Sequence, residues 1–278
     1  MIRVQNAIVH TMPEAEDLWD SVTVIKLGKE VEADLLVCKF VSDEMQNNVI
    51  FGLTSKMARA YSRQNDFPMA ISYYDKSISV CQQMHDPLHE GRCISRKCYM
   101  QMKLRQYHDA QVGYERIRVI GRDEGLFELY SKASVGLSQL ARFDGRLADA
   151  MEFALEARKS ALLQLPGDYG KDWDEAYAIF EIVECSDVDS LEFDEGLLYR
   201  LQELGVAIDT DERQGGSLVS IRAANLLGAR HVSMGKFPEA VAAYQEVVRM
   251  ATNPKFCQMP EVQMSKSRAL FQILIHGV

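Results

Sequence analysis

Apolar positions along this chain recur at helical spacing, and short polar turns interrupt them at nearly regular intervals. Residues 51–63 carry an apolar stripe through Leu53, Met57, Ala60 and Tyr61. Asn65-Asp66 breaks that stripe, and Pro68 opens the next helix at a position where a missing amide hydrogen does no harm. The second helix is expected to reach about Met84, where His85-Asp86-Pro87 ends it. The pattern then predicts helices over residues 88–104, 107–120, 124–142 and 146–164, with Asp144-Gly145 as a tight turn. Ahead of this regular part, Pro13 suits a first helical turn, and Glu14, Glu16 and Asp17 favour the positive end of the helix dipole. We therefore expect one helix from Pro13 to about Lys26 and another from about Lys29 to Met45, with Gly28 between them. Residues 1–12 read as an arm or short strand.

Within this pattern three alanines, Ala70, Ala110 and Ala150, recur at forty-residue intervals, and each follows a larger side chain by three residues: Phe67, Tyr107 and Leu147. Tyr74 and Tyr114 lie four residues after the first two. A small residue is needed where two antiparallel helices cross closely, and the neighbouring aromatic rings fill the space beside the crossing. A fixed period of paired helices is the mark of a helical solenoid. With Ala70 as the twentieth position, the eighth is Ala58, the eleventh Tyr61, the seventeenth Phe67, the twenty-fourth Tyr74 and the twenty-seventh Ser77. The next two copies put Cys98 and Ser138 at the eighth position, and Ile117 and Ala157 at the twenty-seventh. A late copy reads Leu227-Gly228, Phe237, Ala240 and Tyr244, with Pro254 closing it.

Over residues 50–165 and 218–278 these positions resemble tetratricopeptide repeats. The forty-residue period and the stretch His85-Asp86-Pro87-Leu88-His89-Glu90-Gly91-Arg92 resemble the longer-helix subgroup of LGN/Pins, rapsyn and kinesin light chain. The resemblance implies an all-α fold, a right-handed superhelical solenoid of antiparallel helix pairs. It also implies an adaptor or scaffold, with partners in cortical, cytoskeletal or receptor-clustering assemblies. Four stretches of the chain follow: an arm (1–12), N-terminal repeats (13–164), an irregular acidic divergent repeat with a loop (165–216), and a C-terminal repeat with a capping helix (217–278). In the third stretch, residues 173–184 and 193–204 are expected to pair as helices, and Asp209 to Gly216 is the clearest flexible loop. Pro260 to His276 reads as the first helix of a further repeat.

In such solenoids the first helices of successive repeats line a concave surface. The resemblance implies six groove positions in each repeat. Over four repeats, nine of these 24 positions are basic: Lys56, Arg59, Arg63, Arg92, Arg96, Lys103, Lys132, Arg142 and Arg222. None is Asp or Glu, although a random draw from this composition would give about three of each sign. Tyr99, Met102 and Phe143 supply apolar anchors, and Asn225 a polar one. Arginines grip carboxylates through two parallel hydrogen bonds, whereas lysines act as point charges. The expected ligand is an acidic peptide or protein segment bearing a few apolar side chains.

Composition sets limits on this reading. The 278 residues carry a net charge of −9, which disfavours general attraction to nucleic acid. A hydrophobic share of 47% allows a sizeable core. No apolar run reaches about 18 residues, so no membrane insertion is expected. The first residues read as lacking a signal peptide. The six cysteines show no CxxC pairing and are expected as reduced core thiols of a cytoplasmic or nuclear protein. Cys81, His85, His89 and Cys93 are evenly spaced, but Pro87 places a turn among them, so no metal is expected. No cofactor is implied either. Gly228 to Lys236 lacks the phosphate-loop spacing, Gly136-Leu137-Ser138 lacks the nucleophile-elbow context, and Asp187-Val-Asp189 lacks the glycine and glutamate of a calcium loop. Trp19 and Trp173 read as packing residues.

Residues 168–195 hold eleven carboxylates against Lys171 alone. They read either as a solvated face or as a segment that folds over the basic groove and competes for it. The non-enzymatic adaptor has two alternatives. One is a self-associating scaffold, a homo-oligomer. The other is a sensor or regulatory fragment of a longer effector protein that binds a small molecule or phosphate-bearing ligand.

Overall fold

The computed structural model describes residues 12, 20–37, 40, 42–165, 170–187, 190, 193–210, 218–252 and 260–276. Twelve α-helices and no strand occur among them. The expected arm (apart from Met12), the expected helix start at Pro13, and most of the expected loop at 209–216 lie outside the described residues, as do Trp19, Cys38, Asp168, Asp189, Glu192, Pro254 and Cys257.

The helices are α1 (Ser21–Leu35), α2 (Asp43–Arg63), α3 (Phe67–Gln83), α4 (Pro87–Lys103), α5 (Tyr107–Asp123) and α6 (Phe127–Phe143). They continue as α7 (Leu147–Leu163), α8 (Lys171–Cys185), α9 (Gly196–Thr210), α10 (Leu218–Ser233), α11 (Phe237–Ala251) and α12 (Pro260–His276). The chain divides into two compact units, Met1–Leu140 and Ala141–Val278.

From α3 to α7 the period is half of what the alanines suggest. Each of these helices is 17 residues long, and each starts twenty residues after the last. The intervening turns share one conformation. Asn65, His85, Arg105, Gly125 and Gly145, spaced by twenty, all have positive φ, between 53° and 75°. Next to each, a backbone amide reaches back across the helix end: Asp66 to Tyr61, Asp86 to Cys81, Gln106 to Gln101, Leu126 to Gly121 and Arg146 to Ala141, at 2.8–3.0 Å. This is the 6→1 bond of a Schellman motif, which satisfies carbonyls that the helix end leaves unpaired. The turn within a repeat and the turn between repeats are thus built alike. Asp66 and Asp86 then cap the following helices by accepting from Met69 N (3.2 Å) and His89 N (3.0 Å).

In the first unit, Ala70, Ala110, Tyr74 and Tyr114 are all buried, as the crossing argument requires. Gly136 faces the Tyr114 ring so closely that a Cβ there would lie 2.3 Å from Cζ. The expected break at Gly28 does not exist: α1 runs straight through it. This glycine marks close approach rather than an end, because a Cβ would meet Met57 Sδ at 1.9 Å. The following helix also starts at Asp43 rather than near Phe51, capped by Ser42. Tyr73 of α3 donates a hydrogen bond to Glu32 of α1 at 2.8 Å, which ties α1 to the repeats.

In the second unit, successive helices α7 to α12 pack in chain order. Ala150 and Ala240 are fully buried. The expected pairing in the irregular stretch is present as α8 with α9, but it is held differently. Large side chains replace the alanine crossing: Ile179, Phe180 and Val183 meet Leu198, Leu201, Leu204 and Ile208 in one core. A separate core joins α10, α11 and α12 through Ile221, Ala224, Tyr244, Val247, Val262 and Ala269.

Candidate functional site

The residues expected to bind a peptide fall in both units. Lys56, Arg59, Arg63, Arg92, Arg96, Tyr99, Lys103 and Lys132 belong to the first, and Arg142, Arg222 and Asn225 to the second.

In the first unit, the positive charges of Arg59 and Arg63 of α2 and of Arg96 of α4 all reach Tyr74 of α3. All three cations act on the Tyr74 hydroxyl, although burial dominates and pushes that group up. Below them the thiols of Cys81 and Cys93 face each other. The Cys81 thiol donates to the Cys93 sulfur, which raises Cys81 and lowers Cys93, and Arg96 and Arg59 lower Cys93 further. On the same helix Tyr99 is 47% exposed, and Lys103 lies over its ring at 5.0 Å. Residues 96, 99 and 103 fall on one helical face, so α4 presents a cation, an aromatic ring and a second cation in a line.

The expectation of a groove without carboxylates is corrected at Arg92, Lys132, Arg142 and Arg222. Arg92 donates from Nε and Nη2 to the two oxygens of Glu128, at 2.8 and 2.6 Å. Lys132 Nζ lies 3.2 Å from the same carboxylate. Burial pushes Glu128 up, but the bonds and charges of Arg92 and Lys132 outweigh it and hold the carboxyl below its ordinary value. In the second unit, Arg142 Nε lies 3.4 Å from Glu181 and its Nη1 3.6 Å from Glu184. Arg222 Nη2 is 3.7 Å from Glu184, and its guanidinium stacks on the Phe180 ring at 4.0 Å. Asn225 donates its amide to its own helix, to Ile221 O at 3.1 Å.

Sequence reasoning missed Glu128, and it held Glu181 and Glu184 only as members of an acidic run, either a solvated face or a competitor for the groove, without naming their partners. Glu128 sits in the first turn of α6, ahead of the six groove positions taken for that repeat. Its spacing of four from Lys132 was the available signal. Glu181 and Glu184 lie on α8, a first helix that the alanine register skips. The reading of residues 168–195 as a solvated face is corrected too. Asp174, Glu175 and Glu181 are buried. Gln164 donates to Asp174 at 3.0 Å, and Arg200 grips both oxygens of Glu175 at 3.0 and 2.8 Å.

Among the described residues no group of three or more His, Cys, Asp or Glu side chains could hold a metal ion. His85 occupies a left-handed turn position, and His89 Nδ1 lies 2.7 Å from Asp86. Cys81, Cys93 and Cys98 are buried free thiols, and burial pushes Cys98 up to about 12. No helix among the described residues is long and apolar enough to cross a membrane.

The helix pairs and their surface define a helical-repeat protein. Residues 53–88 and residues 220–253 each match a family model described as "Tetratricopeptide repeat". These segments carry the two repeats read from Ala70 and Ala240, so the chain holds tetratricopeptide-type repeats at both places. No curated protein matches it. Among solved structures, the apo form of RapI is similar with a TM-score of 0.60 at 10% identity, over 96% of this chain and 97% of that one. TTC0263, a thermophilic TPR protein of Thermus thermophilus, gives 0.46 at 14% identity over 80% and 99%. A tetratricopeptide repeat protein from Parabacteroides merdae gives 0.44 at 9% identity over 96% and 99%. The RapI likeness speaks for the all-α repeat fold. Repeat folds of this kind offer extended concave surfaces to protein partners.

Proposed function

We propose that this protein is a non-enzymatic adaptor or scaffold whose first helices bind an acidic peptide segment of a partner. The observation that carries the reading is the exposed Tyr99 of α4 with Lys103 over its ring, on the helix whose Arg96 acts on Tyr74 together with Arg59 and Arg63 of α2. Guanidinium groups on successive first helices favour carboxylates, and Tyr99 offers an apolar face to a neighbouring side chain. A protein of net charge −9 that concentrates cations in this way focuses a positive potential locally.

Fluorescence anisotropy with a short labelled peptide of Glu and Phe residues, and with its Gln counterpart, tests the proposal. Arg59→Glu with Arg96→Glu is expected to weaken binding of the Glu peptide by about tenfold or more, with helicity retained. Equal binding of both peptides to the native protein would end the acidic-peptide reading.

Self-association is the second reading, and α12 favours it. Val262 and Ala269 of this helix are buried, while Met264, Phe271, Leu274 and Ile275 are at least half exposed and lie around the opposite side. Light scattering across a concentration series tests it, and a concentration-independent monomer mass would reject it.

A further inference from the structure

Glu184 sits between two arginines that come from different first helices. Arg142 is at the end of α6 and Arg222 is in the first turns of α10. The carboxylate lies 3.6 Å from one guanidinium and 3.7 Å from the other. Both separations exceed hydrogen-bond length, so the attraction is Coulombic and weakly directional. Glu181, the other carboxylate on Arg142, is different in kind. Its side chain is only 6% exposed, against 41% for Glu184, so it is fixed in the wall of the site. The buried Nε of Arg142 makes no hydrogen bond. Arg222 is stacked on Phe180 and 48% exposed, which holds its guanidinium in place while leaving it open to solvent. Two cations are thus positioned about one acid that neither grips.

The surroundings fit an acid flanked by an apolar side chain. On α8, residues 173, 177 and 184 share a helical face. Trp173 and Tyr177 stack there at 5.7 Å, and Tyr177 is 44% exposed. Phe143, next to Arg142, is 57% exposed.

We propose that Arg142 and Arg222 form a seat for an Asp or Glu side chain of the partner peptide, and that Glu184 occupies this seat in the free protein and leaves it on binding. This rests on the acidic-peptide reading and adds to it a specific subsite and its intramolecular competitor. Glu184 is the group a ligand must displace, so it sets a threshold that weakly acidic segments do not pass.

The test uses the full chain and the labelled Glu and Phe peptide described above. Glu184→Gln is expected to tighten binding by about three- to tenfold at low ionic strength, in line with the release of one or two exposed ion pairs. The gain should shrink with added salt and be absent for the Gln peptide. Adding Arg222→Ala to Glu184→Gln should erase it. Unchanged affinity in Glu184→Gln, with Arg59→Glu and Arg96→Glu still weakening binding, would overturn the seat while leaving the acidic-peptide reading intact. If no variant or native protein distinguishes the Glu from the Gln peptide, both fall together.

Discussion

The helices α3 to α7 and the pair α8 and α9 answer one packing problem in two ways. In the first set, buried alanines let helices approach, identical turns close their ends, and the charged groups sit near the surface. Where Arg92 meets Glu128, the two side chains are 29% and 16% exposed. In the second set, Ile179, Phe180 and Val183 pack against leucines and Ile208, and the acids Asp174, Glu175 and Glu181 of the same helix are buried. Glu175 is 2% exposed under a bidentate Arg200. Water reaches both partners of the first pair but only the cation of the second, whose Arg200 side chain is 41% exposed, so the burden of burial falls on the Glu175 carboxylate alone.

This contrast can be broken most sharply at Arg200. Arg200→Ala would leave the Glu175 carboxylate buried without its cation, and a loss of about 3–5 kcal/mol in urea unfolding is expected. A loss below about 1 kcal/mol would show that α8 and α9 do not depend on buried pairing. Glu128→Gln is the matched change in the regular part, with an expected loss of about 1 kcal/mol at neutral pH. Its pH dependence follows from the direction of the shift. The folded carboxyl titrates below its unfolded value, so its contribution is present above the unfolded value and disappears as the pH falls through the folded one. The native and Glu128→Gln unfolding curves should therefore converge as the pH falls from the ordinary glutamate range through the lower folded value. A constant difference down to lower pH would mean that the loss is steric. The smallest effect is a gain. Arg105 has φ 60°, a conformation that glycine adopts without steric cost, so Arg105→Gly should add about 0.5–1 kcal/mol to thermal stability. A decrease would mean that the Arg105 side chain contributes more than its backbone costs.

What the sequence made legible has the same physical basis. Ala70, Ala110, Ala150 and Ala240 could be read because a close crossing admits so few residue types. The twenty-residue step was hidden because its turn position accepts Asn, His, Arg and Gly alike, and no residue type repeats throughout. Gly28 was misread because glycine serves both to end a helix and to let another side chain come close. The placing of Arg59, Arg63 and Arg96 on the first helices α2 and α4 could be read from register alone. The pairing of Arg142 and Arg222 with α8 was open only as one reading of the acidic run, and which acids take part could not be read because they lie outside that register. The burial of Glu175 was equally hidden, since its partner Arg200 is 25 residues away and a run of carboxylates resembles a solvated surface.

The shared turn has a consequence for how such a chain can vary in length. One extra residue inside a helix would rotate every later side chain of that helix by about 100° and carry its cations off the face they share. One extra residue in a three-residue turn would break the 6→1 closure that ends the helix before it. Between residues 67 and 163 growth or loss is therefore quantised, with twenty residues as the step and forty as the step that keeps each face in its role. Drift by single residues is left to the longer connections, between α7 and α8, between α9 and α10, and between α11 and α12.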